Sequence, residues 1–252
     1  MDLTITPRPH RTREPEDGAE GLLPLAPSRR TLLLGVGALG TGLALGTGAA
    51  EAARPKLRKG SRGSSVTTLQ KRLNTLKYWC GSPDGSFGHL TQQAVFALQK
   101  AAGLGRDGVV GPKTWSALDA GKIPSRRIKS GRGFEVDLDR QLLIATAHGR
   151  LYYILNTSTG SGERYYSGGR WKTATTPKGD FEMYSLYSRG WQSGPLGNLY
   201  RPGYYDRGWA IHGSNSIPSY PASHGCSRIS VAAADMLWSR NWFRKGRRVL
   251  IH

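Results

Sequence analysis

Val66, Leu69, Leu73 and Leu76 recur at three- and four-residue intervals and predict a first helix, with Ser64 or Ser65 placed to cap its start. A second apolar face follows at Leu90, Ala94, Val95 and Leu98, with His89 beside its start as a surface or capping residue. A third helix carries Trp115 and Leu118, and Pro112 suits its first position. Loops with Asp84-Gly85 and Asp107-Gly108 separate the three. Residues 123–131, basic and rich in Gly, read as a linker. Beyond them the period changes to two. Phe134, Val136 and Leu138 alternate with Glu135, Asp137 and Asp139, the pattern of a half-buried strand. Runs at Gln141 to Ala147 and Leu151 to Leu155 predict a hairpin turning at His148-Gly149-Arg150. Further strand signals lie at Phe181 to Tyr187, Trp209 to His212 and Val249 to Ile251, and Ser230 is placed to cap a helix over Val231 to Trp238. The fold class is therefore α+β: a small three-helix domain at 54–122, then a mainly-β domain at 132–252 with long aromatic and Gly-rich loops.

Residues 1–53 carry a different signal. Residues 1–27 are polar and read as unstructured. Arg29-Arg30 then precede Leu32-Leu33-Leu34 and a weakly apolar stretch to Ala50, which resembles a twin-arginine export signal. Ala50-Glu51-Ala52 supplies the small-x-small cleavage pattern. The six glycines from Gly35 to Gly48 argue against an anchor helix, because each weakens helical structure. No apolar run in the second half is long enough to span a membrane, so the mature chain is expected to have no transmembrane segment. The net charge of +19 belongs to the chain beyond the signal, and such a surface attracts polyanions. Export removes chromosomal nucleic acid as a partner and leaves the anionic polymers of a cell wall or a membrane face.

Two cysteines do not make a disulfide framework for 252 residues. Cys80, beside Trp79, reads as a small buried hydrophobe. Cys226 stands in Ser223-His224-Gly225-Cys226-Ser227-Arg228, with His212-Gly213 shortly before it. A free thiol, with pKa about 8.5, becomes a nucleophile when an imidazole takes its proton. His224, two positions from Cys226, faces the same side in an extended segment. His212 ends an apolar strand and can meet the thiol from a neighbouring element, and Gly225 lets backbone N–H groups approach a reacting carbonyl. Two other readings stand beside this one. His212, His224 and Cys226 could hold zinc, although the paired short intervals of a structural site are missing. They could also be a structural cysteine with two satisfied histidines.

Two resemblances bear on that choice. The frame Gly63, Val66, Leu69-Gln70, Leu73, Asp84-Gly85-Ser86-Phe87-Gly88, Ala94-Val95, Leu98-Gln99, Asp107-Gly108, Gly111-Pro112, Thr114-Trp115 and Leu118 resembles peptidoglycan-binding domain 1. It implies a groove for wall glycan or peptide. His212-Gly213 followed by Ser223-His224-Gly225-Cys226-Ser227-Arg228 resembles the signature of L,D-transpeptidases, and the likeness extends over about residues 132–252. Phe134 to Leu138 resembles their first strand, Thr176-Pro177-Lys178-Gly179-Asp180-Phe181 a characteristic turn, and Val249 to His252 the closing strand. The resemblance implies a β-sandwich-like catalytic domain, with Cys226 the acylated nucleophile, His212 the general base and acid, and His224 a supporting residue. Gly225 would shape the oxyanion loop, the Gly213 carbonyl would orient His212, and Ser223 and Arg228 would contact substrate. It implies peptidoglycan stem peptides as partners, no metal and no cofactor, and an exported, wall-associated enzyme. An L,D-carboxypeptidase on the same scaffold and a non-catalytic wall-binding protein are the alternatives. The loop between His212 and Ser223 is shorter than is commonest in that family.

Overall fold

A computed structural model describes residues 54–252, and the signal-like segment 1–53 lies outside the described residues. Three helices come first: α1 (Ser64–Thr75), α2 (His89–Ala101) and α3 (Pro112–Asp119). Val66, Leu69 and Leu73 of α1 are buried together with Ala94, Val95 and Leu98 of α2 and Trp115 and Leu118 of α3. The expected serine cap is replaced. Gly63 is the N-cap of α1, and Ser64 already belongs to the helix, so no side chain caps it. Pro112 does open α3. The two Asp-Gly loops are held by one device used twice. Gln70 donates to Asp84 Oδ1 (2.8 Å) and to Thr91 Oγ1 (3.0 Å), while its Oε1 accepts from Gly85 N (2.9 Å). Gln99 donates to Asp107 Oδ1 (2.7 Å) and Thr114 Oγ1 (3.3 Å) and accepts from Gly108 N (2.9 Å). Each buried amide thereby satisfies its donor and acceptor sides at once.

Twelve strands and one helix follow: β1 (Arg132–Asp137), β2 (Leu142–Ala147), β3 (Arg150–Asn156), β4 (Arg164–Ser167), β5 (Arg170–Thr173), β6 (Gly179–Glu182), β7 (Ser185–Leu186), β8 (Trp191–Gly194), β9 (Gly197–Asp206), β10 (Trp209–Ser214), β11 (Ser227–Ser230), α4 (Val231–Ser239) and β12 (Arg248–Ile251). One sheet runs β3-β2-β1-β12-β6 and the other β11-β10-β9-β7, with β8 also on β9 and β4–β5 a separate hairpin. Phe134, Leu143 and Val249 from the first sheet share a core with Ile211 and Ile229 from the second and with Ala233 and Leu237 of α4. That is a sandwich with α4 on its flank, and Ser230 caps α4 by accepting from Ala233 N (3.2 Å).

The half-buried reading of the first strand is corrected. Glu135 and Asp137 are buried as fully as Phe134 and Val136. Glu135 accepts from Arg127 N (2.7 Å) and Ile128 N (2.9 Å), and Asp137 accepts from Arg140 N (2.9 Å). A buried carboxylate is tolerable when hydrogen-bonded in this way. The same bonds pin the connection at 123–131, whose Ile128 is buried.

β2 explains why the helices do not hang free. All six of its residues are buried, because its two faces serve two cores. Leu143 and Ala145 face the sandwich interior, whereas Leu142 and Ile144, with Ile154 of β3, join the helical core. Tyr78 pairs with Ile154 beside β3, and Ile154 N donates to Lys77 O (2.7 Å). Lys100 of α2 is buried at this junction. Its Nζ donates to Gln141 O (2.9 Å), Thr157 O (3.0 Å) and Asn156 Oδ1.

Candidate active site

Strands β10 and β11 run parallel, with His212 opposite Arg228 and Ile211 opposite Ser227. Period-two alternation puts His212 and Arg228 on one face, away from the buried Ile211 and Ile229. Cys226, two residues before Arg228, opens into the same cleft, a space of about 750 Å³. Cys226 and Cys80 are both free thiols, and Cys80 is buried with its pKa pushed up to about 12 by that burial. Among the described residues no group of three His, Cys, Asp or Glu side chains is arranged to hold a metal.

His212 is almost fully buried, and its Nδ1 lies 2.8 Å from the carbonyl oxygen of Gly213. A carbonyl only accepts, so Nδ1 carries the hydrogen and Nε2 keeps its lone pair. Burial drives the imidazole pKa down to about 4; the Gly213 contact opposes the shift and the charge of Arg228 adds to it. Burial also raises the thiol pKa of Cys226, against the opposing pull of the Ala210 N–H and of Arg228. The resting pair at neutral pH is therefore a thiol and a neutral imidazole. The thiol hydrogen is directed at Gly208 O, 3.6 Å from Sγ.

Residues 224–226 form a bend, not an extended run. Gly225 has φ of 136°, and a Cβ there would come within 2.4 Å of Trp209 Nε1 and 2.8 Å of Thr175 O. Only glycine fits. Its N–H is already used, donating to Ser223 Oγ (2.9 Å), and its carbonyl accepts from Thr176 Oγ1 (2.6 Å). Gly225, expected to shape the oxyanion loop, shapes the bend that carries Cys226, and its own N–H is committed inside it. Ser223, expected to contact substrate, lines the cleft and belongs to the same bend. Its hydroxyl donates to Cys226 O (2.7 Å) while accepting from Gly225, so it clamps the bend and has no hydrogen left for a substrate. His224 stands exposed at the rim, edge-on to Tyr165 with ring centroids 4.7 Å apart. Gly213 packs under the site, where a Cβ would meet Tyr200 at 2.9 Å and Ala234 at 3.2 Å.

Several contributors were not singled out from the sequence. Thr176 fixes the nucleophile bend through Gly225, and its buried side chain also accepts from Gly160 N (2.9 Å). Arg170 and Lys172 of β5, Arg207 of the β9–β10 turn and Tyr204 also line the cleft, and no Asp or Glu does. These basic residues and Tyr204 lie in stretches rich in Gly and Tyr and gave no signal that grouped them. The short 215–222 loop is braced by the helical module: Gln93 of α2 donates to Ile217 O (3.3 Å), and Arg106 donates to Ser219 O (3.3 Å). Asn156 donates to Ile217 O (3.1 Å) from below.

Comparison with known proteins places this geometry. Residues 62–118 match the peptidoglycan binding domain family and residues 131–251 the L,D-transpeptidase catalytic domain family. The crystal structure of the L,D-transpeptidase from Xylanimonas cellulosilytica is 50% identical, with TM-score 0.77, over 79% of this chain and 98% of that one. The chain belongs to the L,D-transpeptidase family. Curated relatives of this L,D-transpeptidase family member match over shorter stretches. The N-acetylmuramoyl-L-alanine amidase CwlL of Bacillus licheniformis is 49% identical over 69 residues, 25% of this chain and 18% of its own length. The amidase CwlM of Mycobacterium tuberculosis is 43% identical over 56 residues, 22% of this chain and 14% of its own. The chain spans less than a fifth of the length of these two relatives. As an L,D-transpeptidase family member, it has His212 on β10 and Cys226 in the bend before β11, with a helical module packed on the outer face of the other sheet.

Proposed function

We propose that this protein is a peptidoglycan L,D-transpeptidase working through a Cys226 thioester. One observation carries the reading: a thiol and a neutral, carbonyl-oriented imidazole share a cationic cleft that contains no carboxylate. In the first step His212 Nε2 takes the thiol proton as Sγ bonds to the carbonyl carbon at the L-centre of the diamino acid in a donor tetrapeptide stem. The Cys226 N–H holds the oxyanion, since that of Gly225 is committed to Ser223. The C–N bond to the terminal D-residue breaks, and the departing amine takes the proton back from His212. In the second step the side-chain amine of an acceptor stem attacks the thioester and gives a proton to His212. The C–S bond breaks, the proton returns to sulfur, and a new amide links the stems. Arg228, with Arg170 and Lys172, pairs the stem carboxylates.

The amidases that share part of this sequence are named for a peptidoglycan bond, and the helical module belongs to a peptidoglycan-binding family. Those likenesses support wall peptidoglycan as the partner and an extracytoplasmic site of action. Among the described residues no helix is long and apolar enough to cross a membrane. The paired arginines ahead of residue 50 support export by the twin-arginine route, and the basic surface supports contact with anionic wall polymers.

The test is to incubate the whole chain with disaccharide-tetrapeptide and analyse protein and products by mass spectrometry. Expected are an acyl adduct on Cys226, release of the terminal D-residue and cross-linked dimers, all absent from Cys226→Ala. Trimmed tripeptide without dimers overturns transpeptidation in favour of hydrolysis. Absence of any adduct, with stem peptide or with a carbapenem, overturns the enzymatic reading.

A further inference from the structure

A second cavity, of about 870 Å³, lies at the junction of the helical module and the catalytic domain and shares no residue with the Cys226 cleft. Lys77 and Trp79 come from the segment after α1, Arg150, Tyr152 and Tyr153 from β3, and Arg240 from the end of α4. Its rings are fixed. Tyr152 and Tyr153 stand edge-on to the buried Trp242 at 5.5 and 5.9 Å between centroids, and Arg240 donates to the Tyr153 hydroxyl (3.0 Å). Tyr152 nevertheless remains 41% exposed. Lys77 and Arg150 are exposed and take part in none of the ion pairs among the described residues. No Asp or Glu lines the groove.

We infer that this groove is a second, non-catalytic site for peptidoglycan, taking a glycan strand whose peptide substituents carry carboxylates. The two halves of that ligand match the two halves of the lining. Sugar rings present C–H faces that stack on exposed aromatic rings, and carboxylates pair with cations that lack an internal partner. A purely acidic polymer would use the cations and leave the rings idle. One wall of the groove comes from the module and the other from the catalytic domain, so the strand would be gripped by both. The inference rests on the peptidoglycan reading above and assigns that reading a holding site away from the thiol.

The experiment measures retention of the whole chain on insoluble peptidoglycan sacculi stripped of covalently attached acidic polymers. Tyr152→Ala and Arg150→Glu alter exposed groove residues, while Lys59→Glu alters an exposed module cation outside the groove. Acylation of Cys226 by a carbapenem is followed in every variant; it reports folding and tests the catalytic reading separately. The expected result is a loss of retention of about ten-fold or more in both groove variants, with Lys59→Glu and all acylation rates close to wild type. Wild-type retention in either groove variant overturns the site. So does an equal loss in Lys59→Glu, which would assign binding to the general basic surface. Either failure leaves the Cys226 adduct to stand or fall independently.

Discussion

His212 must be neutral to accept a proton from Cys226, and its surroundings keep it so. An ordinary imidazole, with pKa near 6.5, is largely charged by about pH 5.5 and can no longer act as base. Burial holds His212 to about 4, so its base form persists through that range and is lost only as pH falls towards 4. The rate of Cys226 acylation by a carbapenem is therefore expected to change by less than about two-fold between about pH 7.5 and 5.5. Mass spectrometry of quenched time points measures it, and an inflection near pH 6.5 would contradict the assignment. The bend carrying the thiol gives a second prediction. Ser223→Ala removes both hydrogen bonds that tie Cys226 O and Gly225 N together. Acylation should slow by roughly 10- to 100-fold, since reacting groups displaced by an ångström lose about that much. Alkylation of the thiol by a small reagent, which needs no aligned carbonyl, should fall far less. The Gly213 carbonyl, suggested only by the resemblance, lies 2.8 Å from His212 Nδ1, and Cys226 and His212 were readable as candidates from residue type and close spacing. The duties of Ser223 and Gly225 were not, because which way a hydroxyl and an N–H point is decided by three-dimensional closure of the bend.

Among elements, those with a strong period were legible and those built from Gly, Pro and Tyr were not. The helices α1 to α4 and the hairpin of β2 and β3 follow directly from spacing. β9, Gly197–Asp206, contains Pro202 and Gly203 and fell among the long aromatic and Gly-rich loops, yet it sits centrally in its sheet. Gly203 is required there because a Cβ would meet the Phe243 ring at 2.6 Å. β1 was misread for a different reason: alternation identifies a polar face but not what covers it, and here backbone N–H groups of residues 127 and 128 do. Lys100 is the buried counterpart on α2. Three acceptors from Gln141, Asn156 and Thr157 match the three hydrogens of an ammonium group and favour that form, against the burial that pushes its pKa down. Lys100→Met leaves those acceptors buried without donors, at a cost of about 2–4 kcal/mol. A fall in Tm of roughly 6–10 °C is expected by scanning calorimetry, against little change for the exposed Lys129→Met. Equal melting temperatures for the two variants would mean that water replaces the lysine at no cost.

Over the whole of residues 54–252 the sequence suggests two domains and a basic linker, and the two share one packed apolar boundary. Leu142, Ile144 and Ile154 belong to strands of the catalytic sandwich but are buried in the helical core, each with no accessible surface. Apolar surface shared in this way couples the stability of both parts, because neither can unfold without exposing the other's residues to water. Polar bonds from α2 and its following loop to Ile217 and Ser219 extend the coupling to the wall of the active site. The whole chain should accordingly melt in one calorimetric transition, and Ile144→Ala should lower that single transition by about 2–5 kcal/mol of stability while the module and the sandwich still unfold together. Tryptophan fluorescence and far-ultraviolet circular dichroism, which weight the two parts differently, should give coincident curves. Two separated transitions, with Ile144→Ala shifting only one, would describe a tethered binding module instead. In that case the helices would serve only to anchor the enzyme to the wall. With one transition, loosening α2 also loosens the 215–222 loop, so Ile144→Ala should slow Cys226 acylation although residue 144 does not line the cleft.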